Sequence, residues 1–238
     1  MSRTIVIFGA GTGLGASVAR RFGREGYRVA LVARTRSRLE ALAAALAVEG
    51  IEAVAFPADL SDAAEIPALI EAVLSRFGRI DVIEYAPITT EGFTPAAELT
   101  AGQIRPYAET YLLSLVEAVH AVLPGMLERG DGAILLGQSV TATAPQPRLS
   151  GITPFLAAAR NYLHSLHGEL AGRGVYAGVV QVAAMVERSA GRQAMLRGDM
   201  ATGIDVGKIP VVDPDDIAEA FWSMNVKRDE IERQVPGF

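Results

Sequence analysis

The segment Gly9-Ala10-Gly11-Thr12-Gly13-Leu14-Gly15 limits what this chain can fold into more than any other. It follows the apolar run Thr4-Ile5-Val6-Ile7-Phe8 and opens into a stretch of helical period, Gly13–Glu25. Glycines let the backbone turn sharply and approach a pyrophosphate, while the free N–H groups of a helix start face its charge. A glycine-rich turn alone is common. Here strand, turn, helix and next strand fall within about 30 residues, the context such a site requires. The site would consist of Gly9, Gly11, Thr12, Gly13, Leu14 and Gly15; the alternative is a tight turn that holds nothing.

The second apolar run, Arg28–Val32, leads through Ala33 to Arg34 and Thr35. A site that reads an unphosphorylated ribose has Asp or Glu at this strand end to bind the 2′-hydroxyl. Ala33 stands there instead. Arg34 follows, placed to pair with a 2′-phosphate through its planar fork and to stack on adenine. Arg36 and Arg38 are close by. Without a ligand these arginines are the solvated first turn of a helix, where the helix dipole disfavours cations. A bound anion accounts for them better, so NADP(H) is expected over NAD(H).

Further short apolar runs at Ala53–Phe56, Val82–Ile83, Ala133–Leu136 and Tyr176–Val182 alternate with helical stretches at Arg36–Glu49, Ala64–Phe77, Ala101–Leu127 and Pro154–Ala171. The runs are apolar throughout, as strands covered on both faces are. Strand–helix alternation of this kind builds a parallel sheet. The expected fold is α/β, a Rossmann-type doubly wound parallel sheet flanked by helices. A last helix starts after Asp213-Pro214, an N-cap followed by proline. No repeat or linker divides residues 1–238, which points to one domain. Glu187–Pro210, punctuated by Gly191, Gly198, Gly203 and Gly207, reads equally as a mobile lid or a plain surface loop.

Composition closes several routes. The chain has no cysteine, which excludes disulfides, thiolate metal sites and a cysteine nucleophile. Lys and Arg number 22 and Asp and Glu 27, a net charge of −5, unlike the basic surface of a nucleic-acid binder. The first apolar run is too short for a signal or a membrane span, and Val175–Val186 is interrupted by Gln181. A cytoplasmic protein with no membrane or nucleic-acid partner is expected.

These residues resemble the short-chain dehydrogenase/reductase family over essentially the whole chain. Gly9, Gly13 and Gly15 match that family's glycine motif. Asp59-Leu60 matches the pair after the third strand whose Asp caps the adenine, and Leu123-Pro124-Gly125-Met126 resembles the end of the long fourth helix. Ser139 is similar to the active-site serine after the fifth strand. Glu169-Leu170-Ala171 and Gly174-Val175 match the passage into strand six. The resemblance implies a dimer or tetramer through the fourth and fifth helices, where Val116–Val122 and Tyr162–Leu166 are apolar stripes.

The catalytic positions depart from the pattern. Counting back from Glu169, the family's Tyr-x-x-x-Lys positions fall on Ile152 and Leu156, and the only lysines are Lys208 and Lys227. In relatives the tyrosine donates a proton to the carbonyl oxygen and the lysine lowers its pKa; loss of a general acid typically costs ~10²–10⁴ in rate. The family's helix-four asparagine position falls on Tyr111. Its Asn-Asn-Ala-Gly reads Glu84-Tyr85-Ala86-Pro87, and Val182-Ala183-Ala184 replaces Pro-Gly after strand six. Tyr111, Tyr85 and Ser139 are the replacement candidates, Tyr85 and Ala86 also standing where a cofactor would lie. Each reads equally as an ordinary packing residue.

Other signals are weaker. His164 and His167 form a surface pair rather than a metal site, since a closed site needs further ligands. Gly137-Gln138-Ser139-Val140-Thr141 lacks the second glycine of a hydrolase nucleophile turn. Asp213, Asp215 and Asp216 form a capping cluster. Two functions follow: an NADP(H)-dependent oxidoreductase with a non-standard site acting on a small apolar carbonyl or imine, or a pseudoenzyme that binds the dinucleotide as a sensor or scaffold subunit.

Overall fold

The computed structural model describes residues 2–89, 93–198 and 206–237. Six strands follow the apolar runs: β1 (Thr4–Phe8), β2 (Arg28–Ala33), β3 (Ala53–Pro57), β4 (Val82–Tyr85), β5 (Gly132–Ser139) and β6 (Val175–Val182). The short pair β7 (Met185–Val186) and β8 (Val211–Val212) lies outside the main sheet, and β9 (Glu232–Val235) completes it. The order is β3-β2-β1-β4-β5-β6-β9, every pairing parallel. Order reverses between β1 and β4, the switch point beside which ligands bind in such sheets.

Strand alternation creates two cores. Val6, Phe8, Ile83, Tyr85, Ile134 and Leu136 face one layer, with helices α3 (Ile66–Phe77), α5 (Ser114–Arg129) and α6 (Thr153–Leu170). Ile5, Ile7, Val82 and Leu135 face the other, with α1 (Leu14–Arg24), α2 (Arg36–Val48) and α8 (Pro214–Lys227). Burying each such aliphatic side chain contributes about 1.5–3 kcal/mol. Asp213 caps α8 as expected: its Oδ1 accepts from the Asp215 N–H at 2.9 Å.

The expected helix over Ala101–Leu127 is broken. It divides into α4 (Ala101–Ala108), a π-helical turn at Glu109–Leu113, and α5. Pro106 lies inside α4, and proline supplies no N–H to the helical ladder. Widened turns of this kind are frequent at functional sites. By length and apolar character, Ala101–Arg129 would suffice to cross a membrane; in the fold its inner residues Leu115, Ala118, Val119 and Val122 pack on the sheet.

Two further elements lie where the sequence pointed to no helix or strand. In the Glu187–Pro210 segment, α7 (Ala190–Arg197) begins where Ser189 Oγ accepts from the Arg192 N–H at 3.1 Å, and ends at Gly198 with φ +77°. Positions 199–205, Gly203 among them, lie outside the described residues. Strand β9 carries Glu232, Arg233 and Gln234 rather than an apolar run, because it is a sheet edge.

Candidate active site

The glycine turn joins β1 to α1 at the sheet's switch point. Gly9 has φ +88°, and a Cβ there would lie 2.7 Å from Pro87 Cα; one on Gly15 would lie 2.7 Å from Ala10 Cα. Backbone packing therefore demands both glycines. Gly11 differs: it is exposed, and a Cβ there would meet nothing nearer than Gly9 O at 3.8 Å. Gly13, the N-cap of α1, has no side-chain capping bond, and the first turn has no acidic residue. This end of α1 offers N–H groups and partial positive charge to an anion. Across the turn, Thr12 Oγ1 donates to the carbonyl of Arg188 at 3.0 Å.

At the next strand ends, Arg34 and Thr35 are exposed, and Thr35 caps α2 without a side-chain bond. The Asp59 carboxylate sits after β3, the strand paired with β2. Hydrogen bonds from the Ser61 backbone and hydroxyl, with Arg34 nearby, hold Asp59 below the usual carboxylate range against the opposing effect of burial. Arg34 and Asp59 thus sit at one edge, a cation and an anion beside a helix start that no side chain caps.

Two expected cofactor contacts have core side chains instead. Tyr85 shares the face of Ile83, is fully buried, and its hydroxyl donates to the Thr110 carbonyl at 2.5 Å in the π-turn. Burial pushes its pKa upward. Leu60 packs in the same core, while its carbonyl accepts from Ser114 Oγ at 2.8 Å. Strand parity decides Tyr85: the side chain that follows an inward Glu84 must point to the opposite layer. Ala86 does line the cavity described next.

A cavity of about 380 Å³ runs from Gly11, Thr12 and Gly13 to Ser139 and Tyr111. Ile152 and Leu156 both form its wall, one helical turn apart at the start of α6. Ser139 Oγ accepts from the Thr141 N–H at 3.2 Å and from Thr141 Oγ1 at 3.0 Å. The π-turn presents Tyr111, whose oxygen accepts from the Thr89 N–H at 2.8 Å. Sequence reasoning brought these four residues together; the cavity adds Phe93, Leu149 and Gln138. Gln138 went unread because the fifth apolar run ends at Leu136, whereas β5 continues to Ser139. A strand extended toward the serine would have shown it.

The histidines are half-buried and engaged rather than a surface pair. His164 Nε2 lies 3.1 Å from Glu232 Oε2, and His167 Nδ1 lies 2.7 Å from the Ala177 carbonyl. Among the described residues no group of three His, Cys, Asp or Glu is arranged to hold a metal.

A family model described as short chain dehydrogenase matches residues 3–193. The oxidoreductase asL5 of Sarocladium schorii is 31% identical over 183 residues, 77% of this chain and 72% of that protein. The 3-oxoacyl-(acyl-carrier-protein) reductase FabG of Staphylococcus aureus is 28% identical over 177 residues, 74% of this chain and 71% of its own. Among solved structures, a short-chain dehydrogenase from Sphingobium yanoikuyae in complex with NADPH matches with a TM-score of 0.81 at 30% identity, covering 98% of this chain and 88% of that one. With the family model spanning most of its residues and a relative 31% identical over 77% of its length, this chain belongs to the short chain dehydrogenase family.

Proposed function

We propose that this protein is an NADP(H)-dependent oxidoreductase with a non-standard active site, acting on a small apolar carbonyl or imine. The observation that carries this reading is the cavity that links the glycine turn to Ser139 and Tyr111. The residues fit the dinucleotide. Gly11 leaves open room beside a helix start that no side chain caps, and Arg34 stands at the strand end where a 2′-phosphate would lie. The related Sphingobium enzyme holds NADPH by its description.

When bound, NADPH supplies a hydride; the chain positions the acceptor and manages the proton. Ile152 and Leu156 have no proton to give. Tyr111 is held at its oxygen by the Thr89 N–H and is the cavity's phenol; Ser139, positioned by Thr141, polarises the acceptor oxygen or nitrogen. An imine that arrives protonated needs no acid from the chain. We further read residues 1–238 as one cytoplasmic NADP(H)-binding domain that assembles as a homodimer or homotetramer and has no nucleic-acid or membrane partner.

The apolar pair Ile152 and Leu156 favours a second reading, a dinucleotide-binding pseudoenzyme serving as sensor or scaffold subunit. Fluorescence titration separates these. NADPH is expected to bind in the micromolar range, and Arg34→Ala to weaken it about 10–100-fold, as loss of a charge-assisted pair does, with NADH unaffected. Binding of neither nucleotide overturns both readings. Turnover on a carbonyl and imine panel, reduced in Tyr111→Phe or Ser139→Ala, selects the enzyme; binding without turnover selects the pseudoenzyme.

A further inference from the structure

Among the described residues that line the cavity, Arg192 alone carries a charge. It is half-buried on α7, and its guanidinium has no ion pair or hydrogen bond among the described residues. The other half-buried arginines described all have partners, as Arg160 has Glu232, Arg79 has Asp81 and Arg28 has the Phe77 carbonyl. Drawing a charge out of water without a partner is costly, so an unpaired cation in a cavity wall is suited to an arriving anion.

The fold sets where this cation stands. Gly191, Arg192 and Met195 all line the cavity and, being three and four residues apart, share one face of α7; Gln193, Leu196 and Arg197 are exposed on the other. The start of α7 is held in place. Ser189 Oγ accepts from the Arg192 N–H, and the neighbouring Arg188 carbonyl accepts from Thr12 Oγ1 of the glycine turn. A Cβ on Gly191 would lie 2.5 Å from Ile88 Cδ1, so the helix sits directly on that loop. Around Arg192 the wall is apolar, formed by Ile88, Met195 and Ile209. Such a wall is complementary to an apolar body that bears one anionic group. The dinucleotide's phosphates have groups of their own in the uncapped start of α1 and in Arg34.

We propose that Arg192 is the specificity-determining residue of the cavity and that the substrate is an apolar carbonyl compound or imine ending in a carboxylate. This deepens the reading above and rests on the cavity being the substrate site. The planar guanidinium donates two N–H groups to the two carboxylate oxygens. The apolar body then runs along Ile152 and Leu156, with its reacting carbon toward Ser139 and Tyr111. Recognition of this kind discriminates well, since a neutral analogue leaves the half-buried cation unpaired.

The test uses the keto acid 4-oxo-4-phenylbutanoate and its neutral isostere 4-oxo-4-phenylbutanamide. Both are titrated calorimetrically, with NADP⁺ present, into the full-length protein and into Arg192→Met and Arg192→Gln, two neutral side chains of similar reach. Wild type is expected to bind the keto acid about tenfold more tightly than the amide, the value of a charge-assisted pair that solvent partly screens. In both variants the preference is expected to vanish. Equal binding of the two probes to wild type, binding of neither, or a preference that survives in either variant overturns the proposal. NADPH, titrated by fluorescence, is expected to bind all three proteins alike. A tenfold loss of NADPH affinity in the variants also overturns the proposal, since the cation would then serve the dinucleotide's phosphates. The same titration keeps the two readings apart. Intact NADPH binding by wild type without keto-acid preference refutes only the role of Arg192, whereas loss of both refutes the reading beneath it.

Discussion

Replacing Glu84 by glutamine should change how the stability of this protein depends on pH. Glu84 lies on β4 between Ile7 of β1 and Leu135 of β5, is 1% exposed, and has no hydrogen-bond partner for either carboxylate oxygen. Burial pushes its pKa up from 4.5 to about 8. Between those values the folded protein keeps a proton that the unfolded chain releases, so stability falls as pH rises. Each pH unit is worth about 1.4 kcal/mol, and the whole interval up to about 5 kcal/mol, comparable with the entire stability of an ordinary domain. Above about pH 8 the carboxylate ionises in both states and the decline stops. The amide introduced by Glu84→Gln never ionises, so that component of the slope disappears in the variant. Urea unfolding followed by circular dichroism from about pH 5 to 9 measures both proteins across the interval in which the linkage acts. The wild type should lose stability steadily relative to Glu84→Gln across that range. Parallel curves would refute the reasoning and show that the buried carboxylate finds a partner or water.

The glycines of the turn should separate into two kinds. Gly9→Ala, with its Cβ 2.7 Å from Pro87 Cα and a left-handed backbone, should cost at least about 2 kcal/mol in chemical denaturation. Gly11→Ala should leave the unfolding midpoint in place and weaken NADPH in fluorescence titration. Tyr85→Phe removes the bond to the Thr110 carbonyl, so it should lower stability by about 1–2 kcal/mol without changing NADPH affinity.

The main sheet was legible because its six apolar strands satisfy one local rule: covered on both faces, they have no polar alternation to confuse with anything else. Edge strand β9 breaks that rule, since Glu232 is held by Arg160 at 2.5 Å and by His164 instead of by apolar neighbours. The π-turn was hidden because Ala101–Leu127 keeps helical periodicity through it. In the candidate site, Arg34 and the glycines were legible from chemistry tied to position. Gln138 and Glu84 were not, because a polar residue near a strand end reads as the exit to solvent. Burial at those positions depends on helices far away in sequence. The same distance hid the Tyr85 bond, which requires the π-turn carbonyl.

The placement of β9 bears on how the chain reaches its folded state. All eight residues of β6 are buried, and β9 is the neighbour that separates its far side from solvent. Residues 232–235 follow every other strand in chain order. During synthesis, then, this wholly buried strand has an open edge of unpaired N–H and C=O groups until residues 232–235 emerge. Such an edge is a template for pairing with another nascent chain. The charged residues of β9 complete the sheet with a border that repels further strands, so a chain interrupted before Glu232 would aggregate through β6 even with its cavity and glycine turn already formed.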